Sequence, residues 1–149
     1  MGTMTSTETK LYVSASTPAP FDEVGYEALT WTEVKEVTTI PNYGPTRQVV
    51  THEPLATGVT EKNGGFINYG SVTVGAAFDK SDAGQGILRA NVLSATAKLS
   101  VKIVYQDLST DYTYGKSFSA TKNPGSANSM VGSDLQIEFS KPIIEAVTP

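Results

Sequence analysis

The side chains that could do chemistry are few and scattered. His52, in the run VVTHEPL, is the sole histidine, so any imidazole base must be this residue and no multi-histidine metal site can form. A nucleophilic triad would need His52 to meet a serine and an acid from elsewhere, and no G-x-S-x-G elbow precedes any serine. His52 therefore reads as an exposed histidine at a strand end. Two acidic pairs, Asp22–Glu23 and Glu33–Glu36, have the residue types of glycoside chemistry. With Lys35 between the second pair, a solvated charged face explains it better. The segment GAAFDKSDAGQG lacks the spacing and closing glutamate of a calcium loop. It also matches neither phosphate-binding glycine pattern, so its glycines read as the opening of a helix. Tyr105, Tyr112 and Tyr114 could stack on single-stranded nucleic acid, but only Lys98, Lys102 and Lys116 lie near them in sequence. No catalytic residue, cofactor-binding residue or metal ligand is assigned, and no cofactor is expected.

The elements that would have to position such residues point to a different kind of protein. The 149 residues suit a single domain, 1–149, which on folding buries about 68–70% of its unfolded surface. With no cysteine there is neither a disulfide framework nor a thiolate metal site. Fifteen acidic against 11 basic residues leave a net charge of −4 and a pI near 4.9, which argues against a conventional nucleic-acid binder. Charged residues are only 17% of the chain, against roughly 25% in ordinary soluble domains, as expected if partners cover much of the surface. No stretch approaches the ~20 apolar residues of a membrane span, so no membrane insertion is expected. The N-terminus has no signal-peptide core, which makes the cytoplasm the expected site of synthesis.

Period-2 patterning dominates the chain. Strands are expected at Lys10–Ala15, Thr46–Glu53, Ser71–Phe78, 98–106, 111–119 and around Leu135–Phe139. Thr30–Gly44 spaces Trp31, Val34, Val37 and Ile40 every three residues. Its β-branched threonines favour a bulged strand, with a short helix as the competing reading. Ser16–Gly25 carries two prolines and reads as a loop. One helix is expected over Ala83–Ala95, opened by Asp82 with Gln85 three residues on and striped by Leu88, Val92 and Ala95. Pro54–Gly70 is a 17-residue loop by this reading, with a sharp turn at Gly64–Gly65, and far exceeds an ordinary hairpin connection. The arm 1–9 is polar, and the tail 142–149 contains Ile143 and Ile144, apolar residues that need something to pack on. The sum is a mainly β protein: a two-sheet β-sandwich of about seven strands, one flanking α-helix and a long inter-strand loop.

The order of elements from Thr30 to Leu99 resembles the major tail tube proteins of long-tailed bacteriophages. An opening segment with spaced apolar residues (Trp31, Val34, Val37, Ile40) precedes a threonine-bearing strand with Thr51. A long loop then closes on Gly65 and Gly70, followed by the alternating strand Val72–Phe78 and the helix Ala83–Ala95. DYTYGKSF resembles the family's later hairpin, although Gln106–Asp107 departs from its usual turn.

The resemblance implies a virion structural protein, made in the host cytoplasm and built into the tail of a siphovirus-type phage or a gene transfer agent. Subunits would form hexameric rings stacked into a tube, with neighbouring sheets closing one barrel around a channel. Other implied partners are the tail tip or initiator, the tape measure and the tail terminator proteins, while DNA transits the lumen without tight binding. On that reading the loop reaches the next ring through Thr57, Gly58, Val59, Thr60, Glu61 and Lys62, then Asn63, Gly64, Gly65 and Phe66. Ile143 and Ile144 are the inter-subunit candidates in the tail. Six copies at −4 would bring −24 to each ring (6 × −4), and a lumen without basic lining would not trap phosphates. The inner tube protein of a contractile injection apparatus is the nearest alternative. A β-sandwich adhesion or carbohydrate-binding module is the more distant one.

Overall fold

The computed structural model describes residues 5, 7–128 and 130–146. Its elements in chain order are β1 (Lys10–Ser14), α1 (Glu23–Glu27), β2 (Thr32–Val34), β3 (Val37–Thr39), β4 (Thr46–His52) and β5 (Glu61–Asn68). There follow β6 (Ser71–Ala77), α2 (Ala83–Leu93), β7 (Leu99–Val104), β8 (Thr110–Asn123), β9 (Gly132–Phe139) and β10 (Ile144–Ala146). Eight strands make one antiparallel sheet along the path β2-β1-β7-β8-β9-β6-β3, with β10 added beside β8. Strands β4 and β5 pair with each other in a separate two-stranded sheet.

The 14-residue β8 is the axis of the fold. Thr110–Gly115 pairs with β7 and Gly115–Asn123 with β9. A register shift between Ser117 and Ser119 marks a bulge, a device that bends and twists a strand. The sheet thus has two wings, β2-β1-β7 and β9-β6-β3, which become the two layers of a sandwich. Their inner faces share one core: Leu11 and Val13 from β1, Leu99, Val101 and Ile103 from β7, Val72 and Val74 from β6, Leu135 and Ile137 from β9. Each is a period-2 position of its strand and is essentially inaccessible to water. Burial of each such side chain contributes about 1.5–3 kcal/mol.

Strands β2 and β3 lie at opposite ends of the sheet path, yet only Lys35 and Glu36 separate them. Glu36 takes φ +65° to make the crossing. Helix α2 covers the opening there. Asp82, its N-cap, accepts from Gln85 N at 3.0 Å and from Lys35 N at 3.1 Å. Buried Gln85 donates through Nε2 to Lys35 O and Ala77 O and accepts from Asp79 N. The expected Asp82 cap is present, while the Gln85 side chain ties the two wings rather than completing a capping box. Leu88 joins the core. Val92 is half-buried, and Ala95 lies exposed beyond the helix end.

At the other end of α2, the Lys116 ammonium donates to Asn91 O at 2.6 Å and Ser94 O at 2.5 Å. Asn91 Oδ1 accepts from Ser117 N at 2.9 Å. A cation on the last carbonyls complements the negative end of the helix dipole, and here it also fastens α2 to the bulge in β8. On the sheet's outer face a second apolar cluster joins Tyr26 of α1, Tyr112 of β8 and Ala146 of β10, with Trp31, Tyr114 and Ile144 around them. The rings of Tyr26 and Tyr112 stack at 5.4 Å.

Five sequence expectations need correction. Thr30–Gly44 is two short strands rather than one bulged strand, because the chain changes wings midway; its period of three marks that change of partner. Ser16–Gly25 is not all loop: Asp22 accepts from Gly25 N at 2.9 Å and caps α1. Strand β8 continues to Asn123 and β9 begins at Gly132, so the connection between them is shorter than expected. Pro54–Gly70 is not a 17-residue loop, since Glu61–Asn68 is β5. Gly64–Gly65 is not a turn either. It sits mid-strand at a bulge of β5, where Gly65 and Phe66 oppose the single residue Gln48; a Cβ on Gly64 would lie 2.7 Å from Arg47 Cδ and one on Gly65 2.9 Å from Val50 Cγ2.

Candidate assembly surface

The residues first weighed for chemistry are held apart or are already committed. His52 is exposed on β4, paired across the ribbon with Glu61. Asp22 is the α1 cap. Asp79 accepts from Ser81 through both N–H and hydroxyl, and these bonds hold its carboxyl below the usual range. Asp107 is lowered by the same pair of bonds from Ser109. No group of three metal-ligating side chains occurs among the described residues. No helix among them is long and apolar enough to cross a membrane.

The unusual surface is the β4–β5 ribbon. Every residue of β4 is exposed, as is every residue of β5 but one. Seven residues at about 3.4 Å each carry its tip roughly 24 Å along the strand direction. Phe66 is 87% exposed and Val49 62%, and Val50, Leu55 and Val59 are exposed as well. A lone two-stranded hairpin is at best marginally stable in water, and these apolar side chains have no cover from the described residues. Of the residues expected to reach a neighbour, Thr57–Thr60 form the tip and Glu61–Phe66 run along β5. Ile144 is committed within its own chain, in β10 opposite Tyr112. Ile143 lines a groove at the ribbon's base. The arm 1–9 and the tail 142–149 fall partly outside the described residues.

That groove has a volume of about 820 Å³ and runs between the segment Val37–Pro45, Ile67 and Tyr69 of the ribbon's base, and Tyr105, Asp111 and Ile143 of the body. Among the described residues its charged lining is Asp111 and Glu145, cross-strand partners on β8 and β10. Tyr43 donates its hydroxyl to Asp111 Oδ2 at 2.5 Å, and Tyr105 donates to the same oxygen at 3.1 Å. The two hydroxyls also touch. Burial pushes the Asp111 carboxyl up, partly offset by the Tyr105 hydrogen bond. Burial, and after it the neighbouring Asp111 carboxylate, push the Tyr105 hydroxyl up. The sequence does not reveal this cluster, because its members come from three separate segments. Val49, Val50 and Ile67 were likewise missed as surface candidates, although apolar residues on a polar ribbon were a usable signal.

No family model matches the chain, and no curated protein matches it. Solved structures do. A chain of the sheath/tube terminator of the extracellular contractile injection system PVC, in its extended state, has a TM-score of 0.66 at 11% identity over 97% of both chains. A chain from the tail of an empty GTA particle, refined with C6 symmetry, reaches 0.65 at 10% identity over 95% of this chain and 97% of that one. The SPP1 tail tube reaches 0.64 at 11% identity, over 93% and 76%. The fold is similar to that of these chains. Identities this low establish architecture, and the mainly β sandwich with its flanking helix agrees with them along almost the whole chain.

Proposed function

We propose that the chain is a non-enzymatic structural subunit of a phage-type tail tube. Copies form rings of six that stack into a hollow tube, and the β4–β5 ribbon makes the contact between copies. The observation that carries this reading is a long ribbon with bare apolar side chains on a fold shared with tail and tube assemblies. Apolar side chains on an otherwise polar ribbon gain most when a second surface removes them from water. Thr57–Thr60 at the tip and Glu61–Phe66 along β5 are the proposed inter-subunit residues, with Ile143 at the rim of the groove. In that setting the subunit belongs to a virion tail, is made in the host cytoplasm, and meets a tip initiator, a tape measure and a terminator. A net charge of −4 per copy suits a lumen that lets DNA pass, since basic lining would bind phosphate by counterion release.

Replacing residues 48–66 by Asn-Gly tests the reading directly. It joins Arg47 to Ile67, which are already paired, through a favoured two-residue turn. The expected product is a folded sandwich that no longer forms rings or tubes in negative stain or in solution mass. Normal tubes from the shortened chain would overturn the role of the ribbon. The PVC likeness supports one alternative, an inner tube inside a contractile sheath. Co-purification with sheath subunits separates the two.

A further inference from the structure

The ribbon leaves the sandwich through a junction that ought to be loose. Its chain enters at Tyr43-Gly44-Pro45 and returns at Tyr69-Gly70. Both glycines have positive φ, +145° and +97°, and their backbones touch so closely that a Cβ on Gly70 would overlap the Gly44 carbonyl. Glycine permits this approach but offers little resistance to rotation. On the return side, the backbone is held by Phe139 N donating to Gly70 O at 2.9 Å and by Asn68 Oδ1 accepting from Gly70 N at 2.8 Å. On the entry side the hold is made by side chains. The Tyr43 ring packs edge-on against Phe139 with centroids 6.3 Å apart, and its hydroxyl reaches Asp111 beside Tyr105.

Asp111 is an expensive residue for this place. It occupies an inward-facing position of β8, opposite Ile103 of the core, and its cross-strand neighbour on β10 is another acid, Glu145. Among the described residues no lysine or arginine lines the groove. A partly buried carboxylate without a cation is costly unless it is hydrogen-bonded, and its donors are the two tyrosine hydroxyls. One of these belongs to the entry segment of the ribbon and the other to the rigid body. Hydrogen bonds to a charged acceptor are about twice as strong as neutral ones and strongly directional.

We propose that Tyr43, Tyr105 and Asp111 form a latch that sets the angle at which the ribbon leaves the sandwich, and that this angle registers the ribbon on the next copy in the tube. The second half rests on the tube reading, whereas the first half concerns the free subunit. The latch converts a flexible glycine junction into a defined direction. Over a lever of roughly 24 Å, a 15° swing at the base would move the tip about 6 Å, more than the width of one strand.

The absence of cysteine allows a direct measurement in the full chain. Spin labels are placed on Thr57→Cys at the tip and Thr96→Cys in the exposed turn after α2. With the latch intact, pulsed dipolar spectroscopy should give one narrow distance distribution. Asp111→Ala and Tyr43→Phe should each widen it at least two-fold, while Asp111→Asn, which keeps an acceptor for both hydroxyls, should keep it narrow. A merely structural role would lower the melting temperature without this pattern of widening and rescue. A narrow distribution in Asp111→Ala, or in Tyr43→Phe should that variant alone fold, overturns the latch. The tube yield of the label-free variants tests the second half separately. A widened distribution with wild-type tube yield would uphold the latch on the free subunit and overturn its part in registering the copies.

Discussion

The sandwich and the ribbon obey opposite rules. In β9, and in β7 apart from the buried Ser100, alternate side chains are buried, and each strand owes its place to that buried face. In β4 and β5 neither face is buried, so within one chain only the ladder hydrogen bonds and the turn hold the pairing. The sandwich is therefore complete as a single copy, whereas the ribbon acquires a buried face only when another surface meets it. On the proposed reading, stability and assembly are carried by different residues, and substitutions should separate them.

The largest effect is expected in the sandwich. Ile137 is fully buried between the wings, and Ile137→Ala should cost about 2–5 kcal/mol by lost burial and a residual cavity. Denaturant unfolding measures this, and a loss below about 1 kcal/mol would mean that the two wings do not share a tight core. Next comes the fastening of α2. Lys116→Met keeps the aliphatic stem but leaves Asn91 O and Ser94 O without their charged donor. A loss of about 1.5–3 kcal/mol is expected, the range for hydrogen bonds to charged groups. Amide exchange should rise most in Ala90–Leu93; a uniform rise through the sandwich would contradict a local fastening.

The same contrast explains what could be read from sequence. Leu99, Val101 and Ile103 announce β7 because one buried face imposes strict alternation. Asp82 announces α2 because a cap is a local signal. The ribbon gives no such signal: with both faces wet, Glu61–Asn68 shows no burial period, and Gly64–Gly65 imitates a turn. Trp31, Val34, Val37 and Ile40 show a period of three because they serve two wings and two apolar clusters. The latch is least legible of all, since Tyr43, Tyr105 and Asp111 meet only after both the sheet and the ribbon's base have formed.

A smaller effect, of opposite sign, is expected in the outer cluster. Tyr26 is wholly buried, and its hydroxyl has no hydrogen-bond partner among the described residues. Tyr26→Phe should stabilise the protein by about 1 kcal/mol at neutral pH, because an unmet buried hydroxyl carries a desolvation cost of that order. Burial first, and the nearby Tyr114 second, push this hydroxyl up to about 12. A folded-state value above the unfolded one means stability that is present below pH 10 and lost as pH rises toward 12. Wild-type protein should therefore lose stability over pH 10–12 more steeply than Tyr26→Phe. Equal slopes in thermal melts across that window would contradict this assignment.

The smallest effect on folding belongs to the ribbon, where the effect on assembly should be greatest. Phe66→Ser removes a large side chain that is already in water, so the free subunit should change by no more than about 0.5 kcal/mol, as exposed positions generally do. If Phe66 is covered by a neighbouring copy, the same substitution removes apolar contact area at every joint of the tube. A loss of about 2 kcal/mol per joint, within the range for burying such a side chain, is about a 30-fold rise in the concentration needed for assembly. Light scattering across a dilution series measures that threshold. An unchanged threshold together with an unchanged melting temperature would show that Phe66 stays in water in the tube, and would move the contact to the other face of the ribbon, where Arg47, Val49 and Ile67 lie.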